Sequence, residues 1–397
     1  MICIAGKNKI AIFGVKLLLD LGVKKEDIVA LTNKNDDGID GWQPSFKRFC
    51  LKKKIEIVEL KQLYGIKDLI FISLEYDRII KTNLFKSKYL FNIHFSLLPA
   101  YKGMFTSVLP ILNGEKTSGV TLHKIDDGID TGDIIDQIEF DLKFGTTGFM
   151  LYELYISHSI KILINNINSI LNLEFNSSRQ KCIGASYYSN KTIDFSGLKI
   201  DFNKTCYEIS NYVNAFTFRP YQLIKYNSFN LVGATSAKSK SNSRPGSLIY
   251  ENKYLFEVST IDYNVILMKD RQNDILDKAA NNELETIKIY YDFGFDLDDK
   301  NSKGWNAFIV ACYNGSFDVI KFIIDNKISK VNTINYKGTS ALMYAMTNAS
   351  ETNNLLILKF LIENGADIRH KDFKGFDIFH YAYDLNNDIV INYLTKI

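Results

Sequence analysis

Three observations predict that the chain combines an α/β unit, a small β-rich module and an all-α repeat module. Short apolar, β-branched runs alternate with helical spacing over residues 1–185, a polar stretch of β character fills 186–270, and one glycine-led motif recurs through 271–397. At 397 residues the chain also exceeds what one ordinary core holds.

In the first region, residues 1–5, 27–31, 55–59 and 69–73 are apolar and β-branched, and the segment 11–21 between the first two has helical spacing. This βαβα order predicts a mostly parallel, Rossmann-like sheet covered by helices on both sides, with binding loops at the carboxyl ends of the strands. Tyr89-Leu90-Phe91 leads a further strand whose end carries Asn92 to Ser96, and a long helix over 147–173 closes the unit.

The middle stretch reads as a separate β module from about residue 194 to 270. Within it Ser236-Ala237-Lys238-Ser239-Lys240-Ser241-Asn242-Ser243-Arg244-Pro245-Gly246 reads as a solvated hairpin loop.

The motifs led by Gly304-Trp305-Asn306-Ala307, Gly338-Thr339-Ser340-Ala341 and Gly375-Phe376-Asp377-Ile378 align, with the glycines 34 and 37 positions apart. That spacing is close to the ankyrin period of roughly 33 residues, in which each unit is a turn and two helices. Gly315, Val319 and Ile323 support the first unit, and Leu358, Leu361, Asn364, Gly365, Ala366 and Asp367 the second. Residues 279–294 look like a capping pair, and extra residues at 349–353 predict a longer inter-helix loop.

A formal charge of +3 with no long basic block argues against nucleic acid as the main partner. No apolar run reaches membrane-spanning length, and the opening residues lack the pattern of a secretory leader. Cys3, Cys50, Cys182, Cys206 and Cys312 are scattered, which predicts buried thiols rather than disulfides or a zinc site. A cytoplasmic protein is expected.

Asn92 and His94, two apart at a strand end, point the same way and can face one pocket. Asn92 can donate to an oxyanion and His94 can exchange a proton. Asp130, from a following loop, can fix the His94 tautomer or hold a water. This set suits acyl transfer to an amine. No metal is expected, because His123, His158, His370 and His380 show no ligand spacing with His94.

The run Asn92-Ile93-His94-Phe95-Ser96-Leu97-Leu98-Pro99-Ala100-Tyr101-Lys102-Gly103, then Gly119-Val120-Thr121-Leu122-His123 and Gly128-Ile129-Asp130-Thr131-Gly132-Asp133, resembles the formyltransferases that use 10-formyltetrahydrofolate. The similarity runs over about residues 1 to 180. It implies that Asn92, His94 and Asp130 are catalytic and that 10-formyltetrahydrofolate is the formyl donor. It also implies a pterin pocket built from the segments carrying Leu74, Tyr76 and Asp77 and Asp126, Asp127 and Ile129.

Within that family the tRNA-acting branch usually reads Arg-Gly-Ala-Ala-Pro where this chain has Lys102-Gly103-Met104-Phe105-Thr106. Ile4-Ala5-Gly6-Lys7-Asn8, Trp42-Gln43-Pro44-Ser45 and Asn214-Ala215-Phe216-Thr217-Phe218-Arg219-Pro220-Tyr221 look like the sugar nucleotide branch. The resemblance thus implies a dTDP-amino sugar acceptor, held by Lys7, Asn8, Ser96, Tyr101, Lys102, Phe218, Arg219 and Tyr221. A carboxyl-terminal ankyrin module points, by the same resemblance, to dTDP-3-amino-3,6-dideoxy-D-glucose and surface polysaccharide (O-antigen) synthesis, and to a homodimer formed through the middle module. Trp305, on a repeat turn, either packs against the preceding domain or anchors a second ligand, a nucleotide or a protein. The competing readings are a methionyl-tRNA formyltransferase and an ankyrin adaptor with a degenerate first half.

Overall fold

The computed structural model describes residues 1–219 and 221–396. The chain forms two compact units, one of Met1–Ile39 with Pro44–Asp270, the other of Arg271–Ile397 with the short Asp40–Gln43 segment.

The first unit opens with strand β1 (Ile2–Gly6), helix α1 (Asn8–Asp20), β2 (Ile28–Thr32), α2 (Phe46–Lys53), β3 (Glu56–Ile57), α3 (Leu60–Leu63) and β4 (Ile70–Leu74). It continues through β5 (Tyr89–His94), β6 (Lys102–Gly103), α4 (Leu109–Leu112), β7 (Thr117–Lys124), β8 (Ile134–Asp141), α5 (Gly148–Asn172) and β9 (Tyr187–Tyr188). The main sheet has the order β3-β2-β1-β4-β5-β7-β8. Its first five strands run parallel, and β7 and β8 are antiparallel additions. The strand order reverses between β1 and β4, and the carboxyl end of β5, the strand next to β4, carries the Asn-x-His pair.

Helices α1 and α5 pack together on one face of the sheet, where Gly14 of α1 lets Ile4 and Leu74 approach closely. The other face carries Cys3, Ala5, Val29, Leu31 and Phe71, covered by Leu63 of α3 and by Ile80 and Phe85 from the loop that follows β4. Loop residues therefore do much of the covering expected of helices. Helix α5 begins where the Thr147 hydroxyl accepts the Met150 amide and ends at left-handed Leu173. Among the described residues no helix is long and apolar enough to cross a membrane.

The rest of this unit is α6 (Cys206–Ala215) packed on a five-stranded antiparallel sheet. Its strands are β10 (Lys225–Tyr226), β11 (Phe229–Lys240), β12 (Leu248–Glu251), β13 (Leu255–Val258) and β14 (Tyr263–Lys269), in the order β10-β11-β14-β13-β12. The expected loop from Ser236 starts later than predicted. Residues 236–240 extend β11, with Ala237 turned inward and Lys238 and Lys240 exposed, and the connection to β12 is only 241–247. Alternating small and basic residues carried a strand period that their polarity concealed.

Among the described residues the second unit is four helix pairs: α7 (Gln272–Ala280) with α8 (Leu284–Asp292), α9 (Ala307–Asn314) with α10 (Phe317–Asp325), α11 (Ala341–Thr352) with α12 (Leu356–Glu363), and α13 (Ile378–Asp384) with α14 (Asp388–Leu394). Each repeat turn is built alike. Asn301, Asn335 and Asp372 each accept two backbone amides through Oδ1, two and four residues on. Gly304, Gly338 and Gly375 then supply positive φ, and Asn306, Ser340 and Asp377 cap the helix that follows. The extra residues at 349–353 lengthen helix α11 rather than the loop, because its turns continue to Thr352 before Asn353 adopts a left-handed conformation.

Candidate active site

Asn92 and His94 leave the end of β5, and Asp130 reaches them from the loop between β7 and β8, where it holds a left-handed φ of 54°. The three converge. His94 Nδ1 lies 3.4 Å from Asp130 Oδ2, and Asn92 Nδ2 lies 3.3 Å from Asp130 Oδ1. Asp130 Oδ2 also accepts the Gly103 amide at 2.9 Å.

His123 completes the group, and the sequence reading passed over it. It stands opposite Asn92 in the β5/β7 register, with Nε2 3.1 Å from Asn92 Nδ2 and 3.6 Å from Asp130 Oδ1. Its Nδ1 is 2.7 Å from the Lys124 carbonyl, so the proton belongs on Nδ1 and Nε2 is left to accept from Asn92. His94 Nε2 is 2.8 Å from the Tyr101 carbonyl, a shorter contact than that to Asp130. The Tyr101 carbonyl therefore fixes the His94 tautomer, one of the two roles expected of Asp130.

Burial lowers the His94 pKa below its ordinary value, although Asp130 and the Tyr101 carbonyl act in the opposite direction. Burial raises that of Asp130, but His94, His123 and the Gly103 amide together hold it down at about 2. At neutral pH the site thus holds a neutral imidazole beside a carboxylate.

Next to these groups opens a cavity of about 570 Å³, lined by Tyr76, Asp77, Asp126 and Ile129 as expected, and also by Arg78, Met104, Tyr187, Tyr188 and Asn190. Asn92, Asp130 and His123 form part of its wall. Leu74 is not on that wall; it is buried, and its carbonyl accepts the Lys7 amide. Asp127 accepts the Thr82 hydroxyl at the surface, and Asp126 binds the Gly128 amide and the Thr131 hydroxyl, shaping the loop.

The residues expected at the acceptor are partly gathered elsewhere. The Asn8 amide lies 3.4 Å from Glu75 Oε2 and 3.3 Å from the Tyr152 hydroxyl, which itself lies 3.0 Å from Glu75 Oε2. Tyr152 and Tyr221 pack against the Phe218 ring at 5.7 and 5.2 Å. Glu75 and Tyr152 thus join the Lys7 and Asn8 segment to the Phe218 and Tyr221 segment, and neither drew attention in the sequence. Burial pushes Glu75 up to about 7 against the pull of Lys7, Tyr152 and Asn8. Arg219 pairs with Asp270 at 2.9 Å, Tyr221 is 63% exposed, and Pro220 lies outside the described residues.

Other expected contacts do structural work. Ser96 is fully buried and its hydroxyl donates to the Ala100 carbonyl, so it holds a turn and faces no open space. Tyr101 donates its hydroxyl to Glu115 and stacks on Tyr188, while Lys102 lies in β6. Asn214 exchanges both side-chain bonds with the Ala234 backbone and fastens α6 to β11. Ser45 caps α2. In the second unit, Trp305 meets Tyr313 and Tyr344 at 5.9 and 5.3 Å, with Lys303 Nζ 5.9 Å from its ring.

A formyl transferase family model matches residues 53–165, and ankyrin repeats in three copies match 276–372. WlaRD, a sugar 3N-formyl transferase solved in the presence of dTDP and 5-N-formyl-THF, is 44% identical with a TM-score of 0.63, over 68% of this chain and 97% of that one. The chain belongs to the sugar N-formyltransferase family. The N-formyltransferase from Helicobacter canadensis, solved with folinic acid and dTDP-3-aminofucose, is 41% identical with a TM-score of 0.63, over 68% of this chain and 99% of that one. The bifunctional polymyxin resistance protein ArnA of Wigglesworthia glossinidia brevipalpis is 27% identical over 346 residues, 83% of this chain, which spans about half (51%) of that relative's length. Both sugar N-formyltransferase structures cover 68% of this chain, and the ankyrin repeats begin at residue 276.

Proposed function

We propose that the chain moves a formyl group from 10-formyltetrahydrofolate to the amine of a dTDP-linked amino-dideoxy sugar. The observation that carries this reading is the convergence of Asn92, His94 and Asp130 beside the 570 Å³ cavity, with Asn92 and Asp130 on its wall and His94 buried behind them. Its size and its mix of aromatic and polar residues suit a flat heterocycle such as a pterin. Tyr76, Ile129 and the Tyr187–Asn190 segment hold the donor, which supplies an activated formyl carbon.

The chain's groups then act as follows. Asn92 has two amide protons, directed at His123 Nε2 and at Asp130 Oδ1. The longer bond, to Asp130, is the one exchanged for the oxyanion that forms when the amine attacks. His94, neutral at the start, takes the amine's proton at Nδ1, and the imidazolium is then held between Asp130 and the Tyr101 carbonyl. The proton passes to the departing folate nitrogen as its bond to the formyl carbon breaks, so no proton is gained or lost overall.

On the acceptor side, Lys7, Asn8, Phe218, Arg219 and Tyr221 serve the nucleotide sugar, and Glu75 with Tyr152 braces them. The two relatives solved with dTDP or dTDP-3-aminofucose favour a 3-amino sugar, and the sugar proposed is dTDP-3-amino-3,6-dideoxy-D-glucose, in O-antigen synthesis in the cytoplasm. The transfer itself falls to Asn92, His94 and Asp130 within residues 1–185, further nucleotide contact and dimerisation to 186–270, and the ankyrin repeats to 271–397. Edge strand β12 supports the dimer, since Leu248, Ile249 and Tyr250 are all exposed on it. The Trp305, Tyr313 and Tyr344 rings with Lys303 suit a second nucleotide. An assay of purified protein with 10-formyltetrahydrofolate and a panel of dTDP-3-amino and dTDP-4-amino sugars tests the reading. Formylation of initiator methionyl-tRNA instead would favour the tRNA alternative, and no transfer at all the adaptor.

A further inference from the structure

Strand β9 lies beyond the matched formyl transferase region, yet it is bound to the catalytic loop by a dense set of bonds. It pairs in parallel with β6, Lys102 opposite Tyr187 and Gly103 opposite Tyr188. The Lys102 amide donates to the Ser186 carbonyl and the Met104 amide to the Tyr188 carbonyl, both at 2.9 Å. The Tyr101 amide donates to the Ser186 hydroxyl at 2.8 Å, and the Tyr101 and Tyr188 rings stack at 5.5 Å.

The loop held in this way cannot easily hold itself. Tyr101, Gly103 and Phe105 have φ of 57°, 88° and 63°, and two of the three carry side chains that disfavour this region. A Cβ on Gly103 would come within 2.2 Å of the Tyr188 carbonyl, so the two strands meet at the limit of contact. From the same loop come two of the bonds that fix the catalytic groups: the Tyr101 carbonyl to His94 Nε2, and the Gly103 amide to Asp130 Oδ2.

We propose that Ser186 and Tyr188 are positioning residues for formyl transfer. They clamp residues 101–104 so that the Tyr101 carbonyl and the Gly103 amide keep His94 and Asp130 in register. Tyr187, Tyr188 and Asn190 also line the donor cavity, so donor bound there braces the clamp from its other side. Donor binding and catalytic alignment are thereby linked. This rests on the reading of the cavity as the donor pocket and of His94 and Asp130 as the reacting pair.

The test compares wild type with the Ser186→Ala/Tyr188→Ala double variant, with Tyr188→Leu, which keeps an apolar filler, and with Tyr188→Phe, which keeps the stack. Misplacement of this kind costs about 10- to 100-fold in kcat. The double variant is expected to lose that much and to raise the donor KM several-fold, Tyr188→Leu to show smaller changes of the same sign, and Tyr188→Phe to show the smallest kcat loss of the three. Two readings independent of turnover accompany the kinetics: NMR titration of the His94 ring and hydrogen exchange of the Gly103 amide. Asp130 and His123, the titrating groups facing His94, are unchanged in every variant, so loosening the Tyr101 carbonyl should lower the His94 pKa. Gly103 exchange should quicken. If the His94 titration and Gly103 exchange stay at wild-type values in a folded double variant, or in Tyr188→Leu should the double variant not fold, the clamp is refuted. If wild type formylates no sugar, the functional reading falls, while the NMR and exchange results still decide the clamp.

Discussion

Asn92 and His123 face each other directly across antiparallel strands β5 and β7, the amide nitrogen of one 3.1 Å from Nε2 of the other. This pairing orients the Asn92 amide, and the Lys124 carbonyl orients the His123 ring in turn. Removing the His123 ring takes away one of the two acceptors that hold the Asn92 amide, a loss of about 1 kcal/mol or more. His123→Ala is expected to lower kcat roughly 10-fold or more with little change in either KM; steady-state kinetics on both substrates would show it, and an unchanged kcat would remove His123 from the site.

Asn92→Ala deletes the oxyanion donor itself. Loss of one such donor typically costs about 10²- to 10³-fold in kcat. The fold should persist, so circular dichroism should match wild type while turnover collapses.

Asp130 gives the protein an acid-sensitive term. Its pKa is held at about 2 in the folded chain against 3.8 ordinarily, so folding favours the ionised form. The stabilisation is complete above about pH 5 and fades as the pH falls from near 4 through 2. It amounts to about 2 kcal/mol. Urea denaturation should find Asp130→Asn less stable than wild type at pH 6 and the gap narrowed by pH 3.

Glu75 has the opposite sign. Its folded pKa, about 7 against 4.5, favours the protonated form, so the native state loses stability as the pH rises from near 4.5 to 7. Glu75→Gln should therefore stabilise the protein at pH 8, by about 1–2 kcal/mol, and have little effect at pH 4. Equal effects at both pH values would contradict the assignment.

Tyr221 is exposed beside Phe218, and Tyr221→Ala is expected to raise the nucleotide sugar KM while leaving the donor KM alone. For Trp305→Ala, calorimetry with dTDP should show the loss of one of two binding events. A single, unchanged stoichiometry in wild type and variant would eliminate the second site.

Much of this architecture was legible because its signals are local. Apolar runs marked β1, β2, β4 and β5, Thr147 and Leu173 bounded α5 closely, and the repeat glycines recurred where each turn needs positive φ. Asn92, His94 and Asp130 were legible through motif alone. His123 was not, because its importance depends on a cross-strand register that no local pattern specifies. Glu75 and Tyr152 are 77 positions apart and meet only when the first turns of α5 come against the residue that follows β4. Ser96 misled for the converse reason: the motif places it near the reaction, while folding turns its hydroxyl inward onto Ala100.

The central claim is that Asn92, His94 and Asp130 pass a formyl group from folate to a sugar amine. Its most direct test is mass spectrometry of the product after incubating dTDP-3-amino-3,6-dideoxy-D-glucose and 10-formyltetrahydrofolate with wild type or with His94→Ala. Stoichiometric N-formyl sugar with wild type and almost none with the variant is the predicted result. Comparable product from both, or none from wild type, would contradict it.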